Sequence, residues 1–567
     1  MMSRRLLALS ILVTSLHPVT SYAQWGANGN VLSAGVSNQT GPRATPDGSG
    51  GAFVTWTDTR NGTADIYAQL VDANGVVQWV SNGVGVRVAT GDQNNPRIVS
   101  DDAGGAIIVW TDDKGGSYNI HAQRIDATGA GLWGANTVTV CGEQNDQDIV
   151  SAIADGAGGV IVVWEDARAG SNAVRDIYAQ RLNSGGVAQW VIDGVPVCTA
   201  ANAQYFPVLV SDGAGGAIFT WSDSRNGGSY DIYAQRVNGA GTVQWTADGV
   251  VLCADAGNQD APAITTDGAG GAIVAWYDWR NGLPDIYAQR VNPSGAVQWN
   301  VDGVAVCAAV HSQVDPQIVS DGAGGALVTW NDDRGTGTGD TDIFAQRLDP
   351  NGAALWTPNG EAICSARGTQ LYGRVIPDPA GGAIVAWMDT RAGGLKYDMY
   401  AQRVNGAGTV QWTANGVALC TAANGQYDPA ITGDGAGGAL VVWGDYRSGS
   451  TYDVYGNRVT FGGAIPTGIG DAPAASSVVL GESYPNPFSA GTVLDLALPR
   501  EADVTLEVFD VAGRRVRAVE LGRVAAGSTR LAFDGRDDRA RALPSGVYFY
   551  RVRAAGETLT RKMVIQR

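Results

Sequence analysis

One phrase, Trp-x-Asp-x-Arg, recurs eight times along the chain, with its Trp at Trp56, Trp110, Trp164, Trp221, Trp276, Trp330, Trp387 and Trp443. The copies are 54–57 residues apart, and only the second departs, with Lys114 where the others carry Arg. A second phrase follows each: Asp65-Ile66-Tyr67, Asn119-Ile120-His121, Asp176-Ile177-Tyr178, Asp231-Ile232-Tyr233, Asp285-Ile286-Tyr287, Asp342-Ile343-Phe344, Asp398-Met399-Tyr400 and Asp453-Val454-Tyr455. A fixed period of this length restricts the fold to stacked or circular arrays, because one copy cannot bury its apolar face alone. Each copy holds four segments of strand character, as in Pro262–Thr266, Ala272–Trp276, Asp285–Val291 and Val297–Cys307. Asp-Gly-Ala-Gly-Gly joins the first two, where glycine supplies the positive φ of a tight hairpin. Ala272–Trp276 is apolar on both alternating faces, as expected of a strand covered by a sheet on each side. No segment runs at a 3.6-residue period for ten residues, which excludes helical solenoids.

A third phrase sets the phase of the array. A Trp that opens the expected fourth strand lies at Trp25, Trp79, Trp133, Trp190, Trp245, Trp299, Trp356 and Trp412, one strand out of step with the other two phrases. The array therefore begins with an orphan fourth strand and ends near Arg458 after a third. If the two ends pair, every unit has four strands and no sheet edge is left bare. The expected fold is all-β: an eight-bladed β-propeller over residues 24–461, closed by strand sharing between the N-terminus and the last blade. The closure resembles that of WD-repeat propellers, although the motif differs, and the repeat resembles those of exported propeller-like bacterial proteins.

The ends of the chain read as address and cargo label. Arg4 and Arg5 precede the apolar run Leu6–Leu16, and Ser21-Tyr22-Ala23 supplies small residues at a cleavage position, so residues 1–23 are expected to be a signal peptide. That run is too short to span a bilayer, and no transmembrane segment is expected. Residues 462–479 are rich in Gly, Ala, Pro and Ser and read as a linker. Residues 480–567 contain short alternating strands at Thr492–Leu498, Val504–Asp510, Thr529–Phe533, Gly546–Val552 and Thr560–Ile565, which fit a small β-sandwich. Tyr484-Pro485-Asn486-Pro487-Phe488, Val508–Arg514, Ser545-Gly546-Val547-Tyr548 and Lys562-Met563-Val564-Ile565 resemble the C-terminal sorting domain of type IX secretion cargo, which overlaps the Ig-like domain of the flagellar hook-capping protein. The resemblance implies Gly546, Tyr548 and Lys562 as sorting-motif residues, a type IX-like secretion machinery as partner, and a secreted or outer-membrane surface location.

Charge and motif content narrow the function. The formal charge is −17; residues 479–567 carry 14 Arg and Lys against 11 Asp and Glu, a net +3, which leaves −20 on residues 1–478. Such an acidic body repels phosphate backbones, so nucleic acid is not an expected partner. Cys141, Cys198, Cys253, Cys307, Cys364 and Cys420 each lie eight residues after a fourth-strand Trp. Equivalent points on successive sheets are too far apart to bridge, so six buried free thiols are expected. The Asp opening each Gly-rich hairpin and the Gln eight residues before it recur eight times, as turn capping and inter-sheet bonding would require. Asp278 and Asp285 together would offer two calcium ligands, but Arg280 is the nearer partner for Asp278.

Function is expected where the copies differ. Four residues before each hairpin Asp, on the strand expected to be innermost, the series runs Arg43, Arg97, Ser151, Val208, Ala263, Gln317, Arg374, Ala430. Ring closure makes the first, second and seventh blades near neighbours, so Arg43, Arg97 and Arg374 would face one channel and hold a carboxylate, sulfate or phosphate. Neither His121 nor His311 has a second metal ligand at fitting spacing, and no nucleophile elbow, zinc motif or phosphate loop occurs in context. No cofactor is expected. The leading reading is a monomeric, exported binding scaffold for an extracellular glycan, anion or protein. The alternative is a secreted polysaccharide hydrolase or lyase built on paired carboxylates.

Overall fold

The computed structural model describes residues 25–113, 116–134, 137–170, 174–334, 340–394, 396–466, 478–484, 486–489, 491–498, 500–524 and 527–567. The expected signal peptide and most of the expected linker lie outside them. Among the described residues every regular element is a strand, and none is a helix long and apolar enough to cross a membrane.

Among the described residues the repeats form eight four-stranded antiparallel sheets. Sheet 1 runs Gln39–Pro46, Ala52–Asp58, Asp65–Val71, Val84–Arg87, and sheets 2–7 follow the same order. Sheet 8 takes three strands from its own copy, Gln426–Gly433, Ala439–Asp445 and Asp453–Val459. Its fourth comes from the other end of the array: Asn30–Ser33 pairs antiparallel with Asp453–Val459, Asn30 opposite Gly456 and Val31 opposite Tyr455. The first strand of each sheet lies beside the first strands of both neighbours, including that of sheet 1 beside that of sheet 8. Second strands such as Ala272–Asp278 are almost wholly buried, which explains their continuous apolar sequence.

The fourth strand is shorter than its sequence suggests. In sheet 5 it is only Val304–Cys307, and Val297 makes no more than an isolated bridge to Val291. Asp302 and Gly303, both at positive φ, turn the chain between the two, and a Cβ on Gly303 would lie 2.7 Å from the Trp276 indole. Trp299 therefore stands in the approach to the strand rather than at its start, and its Nε1 donates to the Pro350 carbonyl of sheet 6 at 3.0 Å. The same bond links every sheet to the next, from Trp25 to Ala73 in sheet 1 through to Trp412 and Phe461 in sheet 8.

The recurring polar residues form one module. In sheet 5 the Trp276 Nε1 donates to Asp278 at 2.9 Å, and Arg280 grips the same carboxylate through Nε and Nη2 at 2.9 and 2.6 Å. The guanidinium lies 3.8 Å over the Tyr287 ring and donates to the Cys253 sulfur of sheet 4 at 3.1 Å. All six cysteines are buried and unpaired; burial pushes the Cys141 and Cys198 thiols up to about 12. Sheet 2, whose sequence has Lys114, departs: there Arg87, standing in sheet 1 where six other copies carry Cys and one Ser33, reaches the buried Asp112 at 3.4 Å. Each hairpin Asp caps its own turn, as Asp267 accepts from the Ala269 and Gly271 amides at 2.8 Å, and its second oxygen takes Arg290. The repeated Gln is buried and ties its preceding loop, as Gln259 Nε2 does to the Asp255 and Gly257 carbonyls.

The C-terminal region is a two-sheet sandwich. Val479–Tyr484, Thr492–Leu498 and Gly527–Phe533 form one sheet; Arg515–Val524, Ala502–Asp510, Gly546–Ala554 and Glu557–Ile565 form the other. Leu494, Leu496 and Phe533 pack from one side against Leu506, Tyr550 and Met563 from the other. Two elements differ from expectation. Val479, assigned to the linker, opens a strand, and Arg515–Val524 is an edge strand that sequence analysis left out because its side chains are mostly charged or exposed.

Candidate functional site

The first strands carry a distortion that re-aims their side chains. In each, the register against the second strand slips, in sheet 1 between Thr40 and Arg43 and in sheet 7 between Leu371 and Arg374. At seven of these slips one residue sits at positive φ: Gly41 at 60°, Asn95 at 54°, Phe206 at 56°, Ala261 at 48°, Asp315 at 54°, Tyr372 at 55° and Asp428 at 52°. Non-glycine residues in this region cost about 1–3 kcal/mol each, and such strain concentrates at binding and catalytic sites. A β-bulge of this kind turns the following side chains out of the sheet's regular alternation.

Two residues beyond the bulge come the three arginines singled out from sequence, and the structure brings them together. Arg97 feels the charges of both Arg43 and Arg374, and Arg43 feels that of Arg374. Burial, and after it this mutual repulsion, lowers Arg43 and takes Arg97 down to about 10; burial lowers Arg374 too. Arg43 donates to the Pro42 carbonyl at 2.8 Å and Arg97 to the Pro96 carbonyl at 3.1 Å. Among the described residues no carboxylate lies within ion-pair distance of any of the three. Asp428 acts on Arg43 and Arg374 from farther off, Asp315 on Arg374 and Asp148 on Arg97. Gln317, in the same register of sheet 6, donates to the Pro316 carbonyl at 2.9 Å.

A cavity of about 380 Å³ is lined in part by Tyr372 and Asp428, both of which act electrostatically on Arg374. Tyr397, Tyr427 and Tyr452 also line it. Tyr427 meets Tyr397 and Tyr452 edge-on, each at 5.7 Å between ring centres.

One charged residue escaped sequence analysis. Glu165 stands between Trp164 and Asp166, where other copies have Thr57, Thr111, Ser222 or Asn331, all buried. A carboxylate at a position that elsewhere takes small or neutral residues was the available signal. Burial pushes Glu165 up to about 7, with the charge of Asp148 acting in the same direction; it accepts the Phe206 amide at 2.8 Å and lies 3.5 Å from Arg175. The histidines hold structural places: His121 stacks on Trp110 and His311 is exposed at positive φ in a loop. Among the described residues no group of three or more His, Cys, Asp or Glu could hold a metal ion.

The three sorting-motif residues lie in different settings. Gly546 opens a strand, Tyr548 is buried with its hydroxyl donating to the Pro544 carbonyl at 3.0 Å, and Lys562 is exposed opposite Phe549.

Residues 486–557 match the family model of the FlgD Ig-like domain, so the C-terminal sandwich is Ig-like. The FlgD structure from P. aeruginosa is 23% identical over 17% of this chain and 74% of its own, at TM-score 0.12. A polysaccharide lyase, ulvan lyase, solved bound to a -[GlcA(1-4)Rha3S]- ligand, aligns over 76% of this chain and 95% of its own at 12% identity and TM-score 0.42. A protein of unknown function from Dyadobacter fermentans aligns over 57% of this chain and 96% of its own at 11% identity and TM-score 0.32. With TM-scores below 0.5 and identities below 25%, none of these structures assigns an activity to this chain. No curated protein matches the sequence.

Proposed function

We propose that residues 24–461 form one closed eight-bladed propeller, and that the chain is an exported binding scaffold that holds an anionic ligand at Arg43, Arg97 and Arg374. Closure is supported by the pairing of Asn30–Ser33 with Asp453–Val459 and by the unbroken series of inter-sheet tryptophan bonds. The observation that carries the binding reading is the gathering of three guanidinium groups without a carboxylate partner. Their repulsion is relieved when an anion enters, and several Arg forks bind a carboxylate or sulfate strongly. Residues 1–23 direct export, the stretch between Ile465 and Val478 links the two bodies, and the C-terminal sandwich up to residue 567 engages a type IX-like secretion machinery that delivers a monomer to the outer-membrane surface or the medium. Titration of the purified chain with sulfate and with glucuronate, followed calorimetrically, tests the site. Binding that falls about tenfold or more in Arg97→Ala and Arg374→Ala is the expected result; unchanged binding overturns it.

The alternative, a secreted polysaccharide hydrolase or lyase, draws on Glu165. A buried carboxyl held near pH 7 beside a second carboxylate, Asp148, is a pattern suited to general acid–base work. Reducing-end release from acidic polysaccharides that disappears in Glu165→Gln would favour this reading over the scaffold.

A further inference from the structure

We propose that the tyrosine-lined cavity seats one sugar ring of an acidic glycan, whose carboxylate or sulfate reaches Arg43 and Arg374. This deepens the proposed anion site and rests on it. Two glycines open the cavity, and both interrupt a pattern set by the other copies. Gly444 occupies the middle of Trp-x-Asp, where Thr57, Glu165, Tyr277 and Met388 stand elsewhere. Gly41 occupies the bulge position, where Asn95, Phe206, Ala261, Asp315, Tyr372 and Asp428 stand, each with a side chain at the same positive φ. A Cβ on Gly41 would meet nothing within 4 Å, and one on Gly444 only ordinary contacts at 3.7 and 3.8 Å. Packing therefore demands glycine at neither place, and what the two absences create together is the space.

The lining suits a saccharide. A pyranose has a C–H face that packs on aromatic rings and a rim of hydroxyls that need partners. Tyrosine offers a ring and a polar tip together, and Asp428 offers an acceptor for hydroxyl donors. The volume falls within the range of small-molecule sites, about 300–1,000 Å³. Asp428 and Tyr372 line the cavity, and both act electrostatically on Arg374, so a ring in the cavity points its acidic substituent toward the guanidinium groups. A neutral sugar would leave their repulsion in place.

The test uses the full mature chain, oligogalacturonate, a sulfated galactan oligomer, a neutral galactan oligomer of equal length, and inorganic sulfate, each titrated calorimetrically. One or both acidic oligomers are expected to bind, to outdo inorganic sulfate, and to outdo the neutral oligomer by about tenfold or more; which acidic oligomer binds identifies the anionic group. Gly444→Thr, whose side chain matches Thr57 of sheet 1, is expected to weaken the acidic oligomer about tenfold while leaving inorganic sulfate and the thermal midpoint unchanged. Gly41→Asn, matching Asn95 of sheet 2, is the second variant should the first fail to fold. Oligomer affinity unaffected by a folded filling variant overturns the cavity assignment and leaves the anion site standing, as does equal binding of neutral and acidic oligomers. Loss of every anion response in the unaltered chain overturns both. Selective capture of an acidic peptide with no response to any oligomer overturns the saccharide.

Discussion

Two sets of arginines in the repeat region meet opposite fates. Arg60, Arg168, Arg225, Arg280, Arg334, Arg391 and Arg447 each pair with the Asp two residues earlier and lie over a Tyr or Phe ring 3.7–4.0 Å away. That hydrogen-bonded carboxylate outweighs burial and raises every one of them. Arg43, Arg97 and Arg374 have no such partner, and all three are lowered. The repeated motif arginines are thus neutralised within the fold, whereas Arg43, Arg97 and Arg374, found in only some copies, have no carboxylate at ion-pair distance among the described residues. Sheet 2 shows that the motif carboxylate calls for a guanidinium whatever its source: where the sequence lacks the motif arginine, Arg87 of sheet 1, found in that register in one copy only, stands at ion-pair distance from Asp112.

Three substitutions would break or sharpen this contrast. The largest effect belongs to Asp278→Ala, which strips Arg280 and the Trp276 indole of a shared partner that is fully buried. Removing one member of a buried pair costs about 3–5 kcal/mol, so its denaturant midpoint should fall sharply; a midpoint close to that of the unaltered chain would mean that the repeated module contributes little.

Glu165→Gln comes next and reads out in pH. Because Glu165 titrates near 7 in the folded chain against an ordinary value of 4.5, the folded state binds the proton more tightly. Stability from this group is full below pH 4.5 and declines as pH rises toward 7. The amide should remove that decline, with a gap of up to about 3 kcal/mol between the two chains above pH 7. Parallel unfolding midpoints from pH 4 to 8 would refute the perturbed carboxyl.

Arg374→Ala should move the unfolding midpoint least and not downward, since it removes a guanidinium that burial disfavours and that has no carboxylate at ion-pair distance, and relieves the repulsion on Arg43 and Arg97. A large loss of stability would return this arginine to the structural set.

Much of the architecture was legible because it depends on neighbours in sequence. Alternation of apolar residues, glycine-bearing hairpins and the phase between tryptophan phrases are local signals, and second and third strands such as Ala272–Asp278 and Asp285–Val291 appear within two residues of their expected bounds. The fourth strand was misjudged because the turn at Asp302 and Gly303 is dictated by how close Trp276 approaches. The edge strand Arg515–Val524 was missed because one exposed, charged strand has no apolar alternation to betray it. The three arginines could be named from unequal copies, but their want of carboxylate partners could not.

By itself the sequence determined an all-β chain, eight equivalent four-stranded units, a distinct C-terminal sandwich and the residues that every unit must repeat, since period and turn chemistry are written along the backbone. Only the tertiary structure decided which guanidinium groups remain unpaired, how far Glu165 is lifted, and that Gly41 and Gly444, at opposite ends of the array, line one cavity. Those properties are set by burial and by charges and volumes acting across space, between residues that the chain order keeps far apart.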